Sequence, residues 1–378
     1  MATIFTASYI VYHRDPRGRR QAEALVDAGH RVIFLSCQNP GRPATEVVNG
    51  IEVRTAFYLH KKPNSFVAYL MHYLRFFFVL AWQLTLHPRK YDLIHIHNMP
   101  DFLVLAAWLP RLLGVPVIHD VLDLMPEIYM EKFQCGQNHP AILLMKLQER
   151  MATALASHVL TVEERLVDIL AGRGTPRSKI SVVINLPDER IFKPRPELAP
   201  KGPDGRFVVV YHGTLAHRLG LDIAIDAVAR AVERIPNLEF RIIGGGEQLE
   251  PLQKQAERLG LQDVVTFSGG YVPIDEIPER IADADVGLVP MRQLSATDII
   301  LPTKLLEYVL VGIPSIVPRT GTVMRYFDES MVEFFDTGDA ESLAKALVAM
   351  YENPAKRDAL RIAAAEKFLS KYRWSEHK

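Results

Sequence analysis

The stretch Leu301–Pro318, LPTKLLEYVLVGIPSIVP, reads as a helix running directly into a short apolar strand, and that succession points to an α/β fold. Pro302 and Thr303 are start signals, Gly312 is a C′ residue, and Pro314 forbids continuation. At about 100° per residue, Leu305, Leu306, Val309 and Leu310 form an apolar stripe. Lys304, Glu307, Tyr308 and Val311 fall on the other face, which places both charges off the core. A lysine in the first turn opposes the helix dipole, and Lys before Glu at i,i+3 is the weaker order for a pair. The order makes sense if an anion sits at the helix N-terminus, held by free N–H groups and Lys304, while Glu307 accepts hydrogen bonds from hydroxyls. A sugar nucleotide offers both groups, a diphosphate and a ribose diol. A solvated face with an incidental ion pair accounts for the same residues, and the segment alone does not choose.

Outward from this stretch the helix–strand succession recurs. In the second half, RFVVVYHG, LEFRIIGGG, VVTFSGG, DVGLVP and IPSIVP are strands, separated by the helices LDIAIDAVARAVER, EQLEPLQKQAERLG and a short one at IDEIPERIADA. In the first half TIFTASYIVY is a strand, Asp15 and Pro16 open a helix running to Asp27, and GHRVIFLSC is the next strand. YDLIHIHN, a helix at FLVLAAWLPRLLG, VPVIHD, a helix near Ala141–Ala156 and HVLTV follow. Continuous apolar strands alternating with helices imply parallel sheets covered on both faces. The expectation is two Rossmann-like, doubly wound domains whose loops face each other across a cleft. The N-terminal Rossmann-like domain spans 1–190, a Pro-rich, charged linker 191–206, and the C-terminal Rossmann-like domain 207–355. A helix in 356–378 either stays with the second domain or returns to the first.

At 378 residues the chain is long for one core, consistent with two domains. Basic and acidic side chains balance, 44 against 44, which argues against nucleic-acid binding through a large basic surface. Cys37 and Cys135 are too few for a disulfide framework or zinc cluster, as expected in a reducing cytosol, and no secretory signal is read at the N-terminus. SFVAYLMHYLRFFFVLAWQLTLH, Ser65–His87, has the length of a membrane span, but His72, Arg75 and Gln83 interrupt it. It reads as a helix buried against the sheet or as one resting on the inner face of the cytoplasmic membrane.

Ligands of open α/β sheets bind beyond the carboxyl ends of strands. There YHGTLAHRLG offers Gly213, Thr214 and Arg218, the last suited to bidentate phosphate contact, and IIGGGEQLE offers Gly244, Gly245 and Gly246. Each also reads as a tight turn. HIHNMPDF supplies His97, Asn98 and Asp101; His95 and His97 invite a metal, but no third ligand stands near in sequence, so none is expected. HDVLDLMPEIY adds Asp123 and Glu127 to the same mouth, Glu127 doubling as a first-turn carboxylate.

In order and spacing these segments resemble family 4 of the retaining, GT-B glycosyltransferases, in particular the bacterial branch building exopolysaccharide or lipid-linked oligosaccharide. The resemblance runs from about Ile10 to Trp374 and is carried by DPRGRRQAEALVDAGHRV, YDLIHIHNMPDFLVLAAWLPRLLGVPVI, DLMPE, NLPD, YHGTLAHRLGLDIAIDA, IIGGGE, FSGGY, ADVGLVP and LPTKLLEYVLVGIPSIV. It implies transfer of a hexose or N-acetylhexosamine from a nucleotide sugar to a glycan or polyprenyl-linked acceptor, without metal or cofactor, in the cytoplasm. By position, Arg218 and Lys304 neutralise the leaving diphosphate and Glu307 holds the ribose hydroxyls. Gly213, Thr214, Gly244, Gly245, Gly246, Leu301, Pro302 and Thr303 border the donor, with Tyr271 by the base. Asp15, Arg17, His97, Asn98, Asp101 and Asp123 form the acceptor side. Two positions depart from the pattern: Ile299 stands where many members carry a second glutamate, and Leu122 where the branch has a histidine. A nucleotide-sugar epimerase and a non-catalytic binding protein are the competing readings.

Overall fold

The computed structural model describes residues 1–38, 41–58, 66–194 and 205–378, so the linker expected over 191–206 lies largely outside the described residues. Contacts divide the chain into Met1–Asn185 and Leu186–His377.

The first unit carries β1 (Thr3–Val11), α1 (Pro16–Asp27), β2 (Arg31–Gln38), β3 (Thr45–Val48), β4 (Ile51–Tyr58) and α2 (Phe66–Leu86). After them come β5 (Leu93–His97), α3 (Trp108–Leu112), β6 (Val117–Val121), α4 (Met125–Phe133), α5 (Pro140–Leu155), β7 (His158–Thr161), α6 (Glu164–Gly172) and β8 (Ile180–Val182). Its eight strands are ordered β3-β4-β2-β1-β5-β6-β7-β8. All pairs are parallel except β3–β4, an edge hairpin closed by Asn49 and Gly50 at φ 50° and 80°, the left-handed pair that a two-residue turn requires. This antiparallel edge departs from the purely parallel sheet expected. From β1 to β2 the chain steps one way along the sheet, and from β4 through β8 it steps the other way. Right-handed crossovers therefore place α1 on one face and α2, α3, α5 and α6 on the other.

Local sequence explains the details. Asp15 caps α1, its Oδ1 accepting from Gly18 N at 2.8 Å, and Tyr12, Ala22, Val32, Phe34, Ile51 and Val53 close the core beneath that helix. The helix expected over FLVLAAWLPRLLG is 3₁₀ from Asp101 to Ala107 before becoming α3. In α2, Phe76, Leu80 and Leu84 recur every fourth residue and are fully buried. Its opposite stripe of Met71, Phe78, Trp82 and Leu86 is exposed, so α2 is covered on one side only. Among the described residues no helix is long and apolar enough to cross a membrane.

The second unit holds β9 (Phe207–His212), α7 (Leu221–Ala231), β10 (Leu238–Ile243), α8 (Leu249–Arg258), β11 (Val265–Phe267), α9 (Ile277–Arg280) and β12 (Val286–Leu288). It continues through α10 (Thr303–Val311), β13 (Ser315–Pro318), α11 (Gly321–Tyr326), β14 (Glu333–Phe335), α12 (Ala340–Glu352) and α13 (Pro354–Ala364). Its six strands are all parallel, in the order β11-β10-β9-β12-β13-β14. Every residue of β9 is buried, and the core runs from Phe207 and Val209 through α7 to Leu343 and Leu347 of α12. The order reverses at β9, so the loops leaving β9 and β12 flank a topological switch point. Beyond α13 the chain passes through a π turn, Ala365–Leu369, and as far as His377 groups with this unit: Phe368 stacks on Phe327 at 4.8 Å and Tyr372 meets Tyr326 at 5.8 Å.

Candidate active site

In the second unit the candidate donor residues converge at the carboxyl edge of the sheet. Pro302 fixes the entry to α10 and offers no side-chain cap, so the Thr303 and Lys304 N–H groups are not capped by a side chain, while Leu305 N donates to the Pro302 carbonyl at 3.1 Å. Glu307 does not pair with Lys304. Its Oε2 accepts from Nε2 of His212, the last residue of β9, and His212 Nδ1 lies 3.1 Å from the Tyr308 hydroxyl. Tyr308 also donates to the Val210 carbonyl at 3.2 Å, and its ring fills the space that Gly287 leaves open on β12, where a Cβ would lie 2.4 Å from the ring. Tyr308 and Val311 are buried, so α10 is enclosed on both sides rather than presenting the polar face read from its sequence. The reason is the fold: β9 and β12 lie against the side that period alone assigned to solvent.

Lys304 packs over the strand-end turn, its ammonium 4.5 Å from the centre of the Tyr211 ring. Burial lowers that ammonium to about 8, with Glu307 drawing it upward and Arg218 pushing it further down. Among the described residues neither Lys304 nor Arg218 has a carboxylate within ion-pair distance, which overturns the incidental ion pair as an account of Lys304. The Arg218 turn is itself held in place. Gly220, at φ 67°, passes so close to Pro290 that a Cβ would lie 2.0 Å from its carbonyl oxygen, and Arg292 N donates to the Arg218 carbonyl at 3.1 Å.

The glycines of IIGGGE have a structural task that the sequence did not reveal. A Cβ on Gly244 would lie 1.9 Å from the Gly213 oxygen, and one on Gly246 would lie 2.3 Å from the Leu215 oxygen. Gly213 N donates to Ile243 O at 2.9 Å and Leu215 N to Gly245 O at 3.0 Å, so the loops after β9 and β10 interlock by backbone. Thr214 is exposed on this assembly, its carbonyl accepting from Tyr211 at 2.6 Å. Gly245 lies against Gly270 and Tyr271, and the Tyr271 ring is exposed. Leu301 and Pro302 are buried, while Thr303 is exposed at the helix start. Ile299 is buried beside them.

The first unit contains a cavity of about 300 Å³ lined by Asp15, Arg17, His97, Asn98 and Asp123, together with Tyr9, Tyr73, Met99 and Leu122. Five of the six acceptor-side residues thus meet at one place. Arg17 is bound inward: its Nε and Nη2 donate to both oxygens of Asp120 at 3.0 and 2.8 Å, and Nη1 donates to the Val183 carbonyl at 3.0 Å. Gln21 adds a bond to Asp120 at 2.9 Å, and His97 Nδ1 stands 3.3 Å from the same carboxylate. Burial works to raise the Asp120 carboxyl, but Arg17, His95 and His97 hold it well below the usual range. Burial also lowers His95, to about 4, with His97 adding to the effect. Asn98 ties the wall together, donating to Asp101 at 3.1 Å and the Asp123 carbonyl at 2.6 Å while accepting from Leu122 N at 2.9 Å.

Two residues do not reach the mouth expected of them. Asp101 is buried behind it, 3.4 Å from His119 Nε2, and Glu127 is turned away to bridge Arg173, which also holds Glu149. Asp120, absent from the sequence-based set, is the hub; its signal was only that it lies near the end of the strand beside His97. It also supplies the third ligand that sequence spacing did not show, since atoms of His95, His97 and Asp120 lie within 4.8 Å of one another. A cation there would share Asp120 with the Arg17 guanidinium, a like charge already bonded to both oxygens, so the donor set does not fit a metal. His212 was likewise missed, although it precedes Gly213 in YHG.

Residues 16–185 match the glycosyl transferase 4-like domain and residues 196–367 the glycosyl transferases group 1. The chain is 30% identical over 191 residues to a GDP-mannose-dependent alpha-(1-6)-phosphatidylinositol monomannoside mannosyltransferase of Mycolicibacterium smegmatis, covering 48% of this chain and 50% of that one. It thus spans about half the length of that curated relative. It is 24% identical over 363 residues to a D-inositol 3-phosphate glycosyltransferase of Arthrobacter sp., covering 92% and 83% respectively. Among solved structures, sucrose-phosphate synthase from Thermosynechococcus elongatus matches with a TM-score of 0.78 at 18% identity, over 100% of this chain and 96% of that one. Anabaena HepE in complex with UDP-glucose matches with 0.68 at 17%, over 97% and 96%. Two parallel-sheet α/β units with these neighbours have the GT-B fold of nucleotide-sugar-using transferases. The chain belongs to family 4 of the GT-B glycosyltransferases.

Proposed function

We propose that this glycosyltransferase moves a hexose or N-acetylhexosamine from a nucleotide sugar to a glycan or lipid-linked saccharide, with retention at the anomeric carbon and no metal in the chemistry. One observation carries the reading: Lys304, packed over Tyr211 and Gly213 at the uncapped start of α10, and Arg218 of the turn that follows β9 are two cations without carboxylate partners among the described residues. Cations gathered at such cost suit a diphosphate. Lys304 and Arg218 stabilise charge developing on the leaving nucleotide, the largest contribution a site of this kind makes. Glu307, oriented by His212, accepts from the ribose diol. The acceptor hydroxyl attacks on the face the nucleotide leaves, and the departing phosphate takes its proton. The cavity around Asp15, His97, Asn98 and Asp123 receives the acceptor saccharide.

The test is thermal stabilisation by a panel of UDP-, GDP-, ADP- and dTDP-sugars, repeated on Lys304→Ala and Glu307→Ala. Saturation at about 100 times the dissociation constant adds roughly 2.7 kcal/mol, a readable melting shift. One nucleotide class should stabilise the wild type and do so less in both variants; no shift with any nucleotide would sink the donor assignment. Donor consumption without acceptor would favour an epimerase, and binding without turnover a non-catalytic protein.

A further inference from the structure

The outer side of α2, α3 and α5 is unlike the rest of the chain. Phe78 and Trp82 of α2 are 65% and 68% exposed, Leu112 at the end of α3 73%, and Leu144 of α5 65%. Met71, Leu86, Trp108, Leu143, Leu147 and Met151 extend the same surface. The three helices lie on one face of the first sheet, α2 touching α3, and the 3₁₀ segment Asp101–Ala107 packing against both α2 and α5. An apolar surface of this breadth on a folded chain marks an interaction site.

Its charge selects the occupant. The sole acidic residue in α2, α3 and α5 is Glu149, which is buried and bridged to Arg173. Basic residues border the apolar side chains: Arg75, Arg89, Lys90, Arg111, Lys146 and Arg150. The whole chain is balanced at 44 basic and 44 acidic residues, so this bias is local. A second copy docking here by two-fold symmetry would bring positive surface against positive surface. Trp and Leu side chains spread over three helices, with long cations that extend their heads past them, match an anionic lipid surface, into which the apolar groups sink to headgroup depth.

We propose that the α2–α3–α5 face docks the first unit on an anionic bilayer. The proposal deepens the functional reading by making the acceptor one presented at a membrane, and it rests on that reading only for its purpose.

The experiment is cosedimentation of the protein with vesicles of neutral phosphatidylcholine and of phosphatidylcholine carrying about one-third phosphatidylglycerol, at low and high salt. Wild type should bind the anionic vesicles and release as salt rises. Lys146→Ser with Arg150→Ser should weaken binding, each cation accounting for roughly five-fold. Trp82→Glu with Leu144→Glu should abolish it, since both side chains face solvent and the fold tolerates their loss. Melting temperature and the nucleotide-induced shift serve as controls in every variant. Absence of binding to anionic vesicles, or unaltered binding by the Trp82→Glu, Leu144→Glu protein, overturns the proposal, as does a soluble dimer in sedimentation velocity that the same pair of substitutions dissociates. Vesicle binding without any nucleotide shift would leave docking standing and remove the donor site instead.

Discussion

The ammonium of Lys304 lies over the face of Tyr211, 4.5 Å from the ring centre, and has no carboxylate to pair with among the described residues. A cation held this way is charged at a cost. Its value of about 8 lies below that of an unfolded lysine, so between the two the unfolded chain binds more protons. The penalty is complete below about 8 and fades as pH rises toward the ordinary lysine range. Lys304→Met should therefore be the more stable protein at pH 7, with its advantage over wild type shrinking above pH 8, as read by urea denaturation at stepped pH.

A bound diphosphate should reverse that depression. Nucleotide binding near pH 8.5 is then accompanied by proton uptake, and affinity falls above about 8 by up to ten-fold per pH unit. Calorimetry in two buffers of different ionisation enthalpy measures the uptake. Equal apparent enthalpies in both buffers would show that Lys304 is not the group engaged.

Glu307 and His212 act as a pair, and the kinetics of their variants should reveal it. Glu307→Ala removes the proposed charged acceptor of the ribose diol and should weaken nucleotide binding by about 1.5–3 kcal/mol. His212→Ala should cost less, and the double variant little more than Glu307→Ala alone, because the histidine contributes by aiming the carboxylate. Additive losses in the cycle would mean that His212 contacts ligand on its own account.

Gly246→Ala should destabilise the second unit by about 1–3 kcal/mol, because its methyl group would meet the Leu215 carbonyl at 2.3 Å. Denaturant unfolding measures the stability loss, and the nucleotide-induced melting shift should shrink in parallel as the two interlocked loops part.

In the first unit Asp120→Asn leaves the Arg17 guanidinium buried without its counter-charge and should cost about 3–5 kcal/mol at neutral pH. Since the folded carboxyl titrates well below its ordinary value, that stabilisation is present above the ordinary carboxylate range and is lost as pH falls through the folded value. The gap between wild type and Asp120→Asn should therefore narrow in acid. Arg17→Met with Asp120→Leu should recover part of the loss.

Period and punctuation were enough to read most strands from TIFTASYIVY to IPSIVP, because parallel sheets bury continuous apolar runs that few other structures use; the three-residue β8 was too short to show a pattern. The hairpin at Asn49–Gly50 escaped because its edge strand, TEVV, alternates exposed and half-buried residues. The candidate donor residues on α10 were singled out by a conflict, a lysine where the dipole disfavours one. Their partners were not: His212 and Tyr211 belong to a strand, and nothing local signals what packs beside them. Asp120 shows the same limit, since its bonds to Arg17 and Gln21 and its close approach to His95 and His97 join three elements, α1, β5 and β6, far apart in sequence.

Enclosure of α10 on both sides separates two kinds of change open to this enzyme. Substitutions at Tyr308 or Val311 disturb the packing of the sheet itself, so the end of α10 proposed to hold phosphate is locked by the protein's own stability. Exposed Tyr271 and Ser295 bear no such burden, whereas Ala296, Thr297 and Ile299 next to Ser295 are buried. An engineer testing the proposed donor preference would vary those two exposed positions, leaving the helix untouched, and could expect the fold to survive.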